Sequence, residues 1–243
     1  MLKIGCCGFP QARQNYFKNF SIVEIQQTFY QLPEEKTALK WKKEAPLDFE
    51  YTLKAWQLIT HPVSSPTYRK LKIKIKNEKN YGFFKPTQEV FSAWEKTSKI
   101  ADILNTKIIV FQCPASFKPE KENIKNMKNF FKKIKRKDYI FCWEPRGNWS
   151  EELIEELCKD LDLVHCVDPF KKNSVFGKIN YFRLHGITGY SYHYTEKDLR
   201  TLKEMIDKIQ KPTYVMFNNV YMYEDALNFK KLIYGQKTKE KFF

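Results

Sequence analysis

Eight short apolar runs recur from one end of the chain to the other, and this alternation constrains the fold more than any other feature. Each run has the length of a β-strand and is rich in Val, Ile, Phe, Tyr or Cys. The runs are Leu2–Phe9, Ile22–Tyr30, Phe49–Trp56, Lys107–Cys113, Tyr139–Trp143, Leu163–Val167, Asn180–His185 and Thr213–Asn218. Helical patterns fill most of the gaps between them. Alternating strands and helices predict parallel strands joined by right-handed crossovers.

Eight such strands favour closure into a (β/α)8 barrel of the TIM type. The chain has 243 residues, which suits one barrel of about 250 residues, so we predict a single domain over residues 1–243. The alternative α/β fold is an open, doubly wound sheet. A glycine-rich phosphate loop would favour that fold, but Gly5-Cys6-Cys7-Gly8 does not match G-x-G-x-x-G.

The helices have recognisable ends. Ser150 is a predicted N-cap, and Thr195 with Asp198 resembles a capping box. The predicted helices include Thr37–Lys43, Thr87–Leu104, Glu120–Ile134 and Glu224–Ile233. Two segments interrupt the alternation. Ser64–Pro86 is an insertion after the third strand, with Lys and Ile alternating as in an amphipathic ribbon, and Pro169–Lys178 joins strands six and seven without a clear helix.

The composition favours a globular protein of the cytoplasm. No apolar run approaches the roughly 18 residues of a membrane span, and the N-terminal residues lack the pattern of a signal peptide. We therefore expect no membrane partner. The six cysteines form no C-x-x-C pair, and most lie in apolar strand-like runs, so we predict buried, reduced thiols.

The chain is strongly basic, with a formal net charge of +15. Such a field attracts phosphorylated ligands and nucleic acid, although a lysine-rich surface can also serve only solubility. Two basic runs lie in different places. Arg69–Lys79 follows a strand and should overhang the C-terminal ends of the strands, whereas Lys132–Lys137 precedes a strand and should lie at the opposite end.

Polar residues gather where the predicted strands end, and active sites of such barrels lie at that end. Four of these residues are candidate catalytic groups: Glu144, Asp168, His185 and Glu24. Others are candidate substrate-binding groups: Lys54, Arg146, Arg183, Gln112, Thr28, Tyr30, His61, Trp149, Tyr190, Asn218 and Asn219. In the second run, Glu24, Gln26, Thr28 and Tyr30 share one parity, which predicts that all four face the same side of a strand.

Several chemistries fit these side chains. Glu144 and Asp168 lie on neighbouring strands and can share general acid and base roles, with His185 assisting. Arginine can grip phosphate or carboxylate with two hydrogen bonds, so Arg146, Arg183 and Lys54 are expected to bind an anion. Glu144, Asp168 and His185 also offer donors for a divalent metal, but no H-x-x-x-H pair occurs and we assign no metal ligands. The alternative is a mutually neutralised polar layer that only orders the loops.

The strand-end motifs resemble the domain-of-unknown-function 72 family, also called YecE-like. The matching stretches run in order along nearly the whole chain, and they include Val23-Glu24-Ile25-Gln26-Gln27-Thr28-Phe29-Tyr30, Ile59-Thr60-His61, Phe111-Gln112-Cys113-Pro114, Trp143-Glu144-Pro145-Arg146, Arg183-Leu184-His185-Gly186 and Phe217-Asn218-Asn219. The resemblance implies a (β/α)8 barrel but no reaction. The family's barrels are broadly similar to those of metal-dependent sugar isomerases and abasic-site endonucleases, which is an analogy of fold alone.

The sequence departs from the family pattern at three places. Gln26 stands where the family usually has Asn, and Phe9 stands where Trp usually follows Gly8. The family tends to read Glu-Phe-Arg-His before Ser-Trp, whereas this chain reads Glu144-Pro145-Arg146-Gly147-Asn148-Trp149. The missing His removes one possible metal ligand or base.

Three functional hypotheses follow. The first is an enzyme that acts on a phosphorylated or otherwise anionic substrate at the C-terminal face of the barrel, as a hydrolase or isomerase. The second is a nucleic-acid-binding or nucleic-acid-processing protein, suggested by the net charge and the lysine-rich insertion. The third is a binding protein without catalysis.

Overall fold

The computed structural model describes residues 1–235, and within them the eight predicted strands all form. They are β1 (Leu2–Cys7), β2 (Ile22–Ile25), β3 (Glu50–Lys54), β4 (Ile108–Gln112), β5 (Ile140–Glu144), β6 (Leu163–His165), β7 (Asn180–Leu184) and β8 (Thr213–Phe217). All paired strands are parallel, in the order β6-β5-β4-β3-β2-β1-β8-β7. An isolated bridge between Val167 and Phe182 joins β6 to β7. The sheet is therefore a nearly closed barrel, as predicted.

Helices follow the strands around the outside of the sheet. They are α1 (Arg13–Asn19), α2 (Gln27–Tyr30), α3 (Glu35–Glu44), α4 (Gln57–Thr60), α5 (Gln88–Ile103), α6 (Lys121–Lys133), α7 (Glu151–Asp160), α8 (Glu196–Asp207) and α9 (Met222–Tyr234). Both predicted caps are present, because the Ser150 hydroxyl accepts from the Leu153 amide and Thr195 and Asp198 form a capping box. Within residues 1–235, no helix combines the length and the apolar character needed to cross a membrane.

The barrel interior is filled by every second residue of the strands, because strand side chains alternate between the two faces. The inward apolar set is Cys7, Ile22, Ile108, Val110, Cys142, Val164, Cys166, Tyr181, Tyr214 and Met216. The outward strand residues pack with the helices in a larger, aromatic-rich core. All six cysteines are buried and none is in a disulfide, which confirms the prediction that they are buried.

The prediction that the second strand continues to Tyr30 was wrong. Strand β2 ends at Ile25, and the chain turns into α2 immediately afterwards. The Thr28 hydroxyl donates to the carbonyls of Ile25 and Lys54, 2.8 and 2.7 Å away, which fixes this turn across the ends of two strands. Glu24, Gln26, Thr28 and Tyr30 therefore do not share one strand face.

The predicted ribbon in Ser64–Pro86 was also wrong. This segment holds two short 3-10 turns, Pro66–Lys70 and Glu78–Asn80, and no strand within these described residues. Leu71 and Ile75 pack against the core, but Ile73 between them is 42% exposed, like the neighbouring lysines. The alternation of Lys and Ile therefore does not form one buried apolar face. Pro169–Lys178 contains no helix, as predicted.

Candidate active site

The polar layer forms at the C-terminal ends of the strands. Glu24, Lys54, Glu144 and Arg183 end or nearly end β2, β3, β5 and β7, and all four are buried. Each lies two residues after an inward-facing strand position, so the strand period turns each of them into the barrel. His185 and Asn218 continue β7 and β8 by the same spacing.

Arg183 is the centre of this layer, and its side chain is 0% exposed. Its Nε and Nη2 donate to the two carboxylate oxygens of Glu24, at 3.0 and 2.9 Å, and its Nη1 donates to Oε2 of Glu144. The Tyr181 hydroxyl also donates to Glu24, at 2.9 Å. Burial alone would lower the pKa of Arg183, but Glu24 and Glu144 outweigh burial and raise that pKa well above its usual value. Arg183 is therefore a permanent cation shared by two carboxylates.

Glu144 links this buried ion pair to the surface of the mouth. Its Oε1 accepts from Nη2 of Arg146 at 2.7 Å and lies 2.9 Å from Nε2 of His185. Burial would raise the pKa of Glu144, but Arg183 and the hydrogen bond from His185 hold it well below its usual value. Glu144 therefore stays ionised at neutral pH.

His185 is held on three sides. Its backbone amide donates to Oδ2 of Asp168 at 3.0 Å, and its Nδ1 lies 3.1 Å from Nδ2 of Asn218. With Asn218 as donor, Nδ1 accepts and the ring proton belongs on Nε2, where it donates to Glu144. Burial lowers the pKa of His185 against the opposing effect of Glu144. The ring is 16% exposed, so a neutral imidazole reaches the surface at a fixed orientation.

Asp168 is engaged by backbone groups. Its Oδ1 accepts from the amide of Phe170 at 3.1 Å, and its Oδ2 accepts from the amide of His185. The carboxylate thus ties the loop after β6 to the end of β7 beside the imidazole.

A cleft of about 150 Å³ opens beside this cluster. Its lining residues are Glu144, Pro145, Arg146, Gly147, His165, Cys166, Val167, Asp168, Lys171, Lys172 and His185. The Arg146 side chain is 37% exposed, but its Nε is buried and has no hydrogen-bond partner among residues 1–235. A buried donor without a partner is costly, and the residue that carries it is one of those that line the cleft.

The predicted site residues fall into two groups. Those brought together at the mouth are Glu24, Lys54, Glu144, Arg146, Asp168, Arg183, His185 and Asn218, and Gln112 ends β4 partly buried beside them. Of the predicted residues, only Glu144, Arg146, Asp168 and His185 line the cleft itself. The remaining predicted residues lie outside the polar layer: Thr28, Tyr30, His61, Trp149, Tyr190 and Asn219. Several of these bond within the framework.

Trp149 donates its indole N–H to the Phe117 carbonyl at 2.9 Å, and Asn219 donates to the Tyr192 carbonyl and to Asp225. His61 is buried with its Nδ1 2.8 Å from the Thr60 hydroxyl, and burial lowers its pKa to about 3. These contacts fix loops and strand ends around the barrel mouth.

Sequence reasoning missed Lys171 and Lys172, which line the cleft. They closely follow the end of β6 in a segment without helical pattern, and position alone could have found them. His165, predicted to be structural, is 1% exposed and accepts the Val175 amide at its Nδ1, yet it also forms part of the cleft wall.

The donor atoms of the mouth do not fit a divalent metal. Across residues 1–235, no three His, Cys, Asp or Glu side chains are grouped as a metal site requires. Both oxygens of Glu144 accept from arginines, and those of Asp168 accept from backbone amides. The cation at the centre of the layer is the guanidinium of Arg183.

Comparison with known proteins places this barrel in a family. Residues 9–241 match the family described as protein of unknown function DUF72. The chain belongs to the DUF72 family. No curated protein matches it.

Solved structures share the fold of this DUF72 protein. A DUF72 family protein from Enterococcus faecalis V583 is 21% identical, with a TM-score of 0.73 over 96% of this chain and 97% of that one. A DUF72 family protein from Thermotoga maritima MSB8 is 23% identical, with a TM-score of 0.70 over 96% and 99%. Endonuclease IV from Thermus thermophilus is 8% identical, with a TM-score of 0.53 over 98% of each chain. At these identities the likeness concerns the barrel alone.

Proposed function

We propose that this DUF72 protein is an enzyme that binds a small anionic substrate, such as a phosphorylated metabolite, in the cleft beside β5, β6 and β7 and moves a proton with His185. One observation carries the proposal. A neutral, oriented imidazole and a guanidinium with a buried, unpartnered Nε among residues 1–235 lie in the wall of one cleft at the C-terminal end of the barrel.

The cleft supports anion binding because its uncommitted charges are positive. Glu144 is already paired with Arg183 and Arg146, and Asp168 accepts two backbone amides. Lys171 and Lys172 add two cations to the lining. A phosphate or carboxylate in the cleft would pair with the partly exposed Arg146 side chain.

The geometry supports His185 as the proton carrier rather than the pair Glu144 and Asp168. An ionised Glu144 has no proton to donate, but it stabilises the imidazolium that forms when His185 accepts one at Nδ1, its unprotonated ring nitrogen. The substrate group that gives up this proton would replace Asn218 as the hydrogen-bond donor to Nδ1. Before substrate binds, Asn218 at Nδ1 fixes the tautomer and the ring plane. Glu144 and Asn218 are thus positioning residues, and Asp168 holds the backbone on which the imidazole is carried.

Calorimetric titration with inorganic phosphate, pyrophosphate and sugar phosphates tests the binding step. We expect Arg146→Gln to weaken the ligands that bind by roughly 10- to 150-fold, equivalent to about 1.5–3 kcal/mol for hydrogen bonds to a charged group. Lys125→Gln removes the same charge from the exposed face of α6 and is the control. No binding, or equal loss in both variants, contradicts the proposal.

Phosphorus and proton NMR of the bound compounds tests the chemical step. We expect His185→Gln to retain binding and lose conversion. Ligands that bind to the wild type and are never converted would instead support a binding protein without catalysis.

A second candidate is a protein that binds nucleic acid over the mouth. The basic insertion lies at the same end of the barrel, since the Lys72 amide donates to Gln31 Oε1 at 3.0 Å and the Lys70 ammonium lies 4.4 Å from the Tyr30 ring centre. The side chains of Lys72, Lys74 and Lys76 are exposed. Phosphate contacts from this segment would add to those of the cleft at the same end of the barrel.

Fluorescence anisotropy with labelled single- and double-stranded DNA and RNA over a salt series tests this candidate. Phosphate contacts predict an affinity that falls steeply with salt. The combined variant Lys72→Gln, Lys74→Gln and Lys76→Gln should weaken binding. The control combines Lys132→Gln, Lys133→Gln and Lys135→Gln at the opposite end of the barrel and should not weaken it. Binding that is absent or insensitive to salt contradicts the candidate.

A further inference from the structure

We propose that Lys54 is an amine nucleophile that forms an imine with the carbonyl carbon of an anionic aldehyde or ketone. The proposal rests on the proposed function, because it names the substrate class of the same barrel mouth. It would make the protein an enzyme of carbonyl chemistry at a carbon near an anionic group.

Lys54 is the last residue of β3 and is 5% exposed. Its Nζ lies 3.7 Å from the centre of the Phe29 ring. Among residues 1–235, its ammonium group has neither a hydrogen bond nor an ion pair within 4 Å. Its backbone carbonyl accepts the Thr28 hydroxyl, so the strand end that carries the side chain is fixed. Lys54 is thus a buried amine that lies against an aromatic face.

The charges of the layer explain why no carboxylate is left for Lys54. Glu24 and Glu144 contribute two negative charges, and Arg183 and Arg146 contribute two positive charges through direct hydrogen bonds. A protonated Lys54 would be a buried cation with no carboxylate of residues 1–235 within 4 Å, since the Asp168 carboxylate accepts from backbone amides. The geometry therefore favours either an unprotonated Lys54 amine or a protonated Lys54 that pairs with a bound anionic ligand.

The titration of Lys54 agrees with the neutral amine. Burial, followed by repulsion from Arg183, lowers its pKa to about 7 against the opposing effects of Glu144, Glu24 and Cys7. Near neutral pH roughly half of the Lys54 side chains are then unprotonated, whereas an exposed lysine is almost entirely protonated. A lysine desolvated in an apolar pocket next to another cation is a known design for imine formation.

The reaction balances without an oxidant or reductant. The lone pair of unprotonated Nζ attacks the carbonyl carbon, a C–N bond forms, and the carbonyl π electrons move to oxygen, which takes up a proton. The carbinolamine then loses water as the C=N bond forms, so that amine and carbonyl give imine and water. A protonated imine withdraws electrons from the adjacent carbon, which makes a proton on that carbon easier to remove.

Reductive trapping with glyoxylate and with glycolaldehyde phosphate, two small anionic aldehydes, tests the proposal. The folded full-length protein is mixed with each aldehyde near pH 7, sodium borohydride is added, and modified lysines are located by peptide mass spectrometry. We expect Lys54 to be modified about tenfold or more faster than exposed Lys125, because its free-amine fraction is larger. The rate at Lys54 should rise with a midpoint near pH 7, and inorganic phosphate should slow it.

Lys54→Met is the matched variant, because it removes the nucleophile and keeps an unbranched, uncharged side chain like that of the neutral amine. We expect it to lose trapping at this position and to retain phosphate binding. Modification of Lys54 no faster than that of Lys125 overturns the imine proposal in the wild type itself, whether or not the variant folds. If phosphate still binds in that case, the proposed anion-binding site is supported and the imine proposal is refuted. If Lys54 is trapped but phosphate does not bind, the imine proposal is supported and the anion-binding site is refuted.

Discussion

Replacing Arg183 with Met tests how much the layer of charges contributes to stability. The change removes three hydrogen bonds and leaves two carboxylates without their shared cation: Glu24 is 0% exposed and Glu144 is 4% exposed. Breaking a buried ion pair by removing one partner costs about 3–5 kcal/mol. For a chain of this size that corresponds to a fall in Tm of roughly 6–20 °C.

The loss should depend on pH in a defined direction. Arg183 helps to hold the pKa of Glu144 well below its usual value in the folded state. A group with such a lowered pKa contributes stability above its unfolded pKa, and that contribution is lost as pH falls through the folded pKa. The difference between wild type and Arg183→Met should therefore be largest near pH 7.5 and should shrink below about pH 5, where the Glu144 carboxylate of the variant takes up a proton.

Urea denaturation at pH 7.5 and pH 4.5 measures this difference. Adding Glu24→Gln to Arg183→Met removes one orphaned charge and should recover part of the stability. Arg200→Met is the control, because Arg200 is exposed on α8 and its ion pair with Glu196 is of the kind that contributes little. A loss under about 1 kcal/mol at pH 7.5, or a loss equal at both pH values, would refute the reasoning.

Three further predictions concern the framework around the mouth. Burial lowers the pKa of His165 to about 4. The stability that the neutral ring contributes is therefore present above pH 6.5 and is lost as pH falls toward 4, by about 3 kcal/mol in total. Thermal melts should show that the stability of His165→Gln depends less on pH over this range than that of the wild type. Gly186 has a φ of +84°, and an added Cβ would lie 2.0 Å from the Gly189 carbonyl oxygen. At Gly8, whose φ is +110°, nothing lies within 4 Å of an added Cβ. Urea titration should therefore show Gly186→Ala to be less stable than Gly8→Ala by about 1–3 kcal/mol, and equal losses would contradict this. Trp149→Phe should cost about 1–2 kcal/mol of stability through the lost hydrogen bond and should leave the phosphate affinity unchanged. A change in that affinity would show instead that Trp149 takes part in ligand binding.

The barrel could be predicted from the sequence because its strands are buried on both sides and appear as nearly continuous apolar runs. The ends of the runs were less informative, since apolar residues continue into the turns that follow. In the second run, Phe29 is buried like a strand residue but belongs to α2. The four-residue helices α2 and α4 and the seven-residue α1 carry too few turns for a periodic pattern to show.

The site could be predicted in part because strand ends converge in a barrel. Their positions at predicted strand ends placed Glu24, Lys54, Glu144 and Arg183 together, and the structure brings them into one buried layer. The pairing within the layer was not predictable, because it depends on which side chains meet across the barrel. The sequence suggested Glu144 as an acid, whereas its two arginine partners keep it ionised.

The cleft also coincides with the joint at which the ring of strands is held most weakly. Strand β6 has three residues, and it meets β7 through the bridge at Val167 and Phe182 and the link from the His185 amide to Asp168. A ligand that contacts Arg146, His185 and Lys171 would connect the ends of β5, β6 and β7. Ligand binding would then stabilise the closed barrel, and the amide hydrogens of β6 and β7 would exchange more slowly with solvent when the ligand is bound.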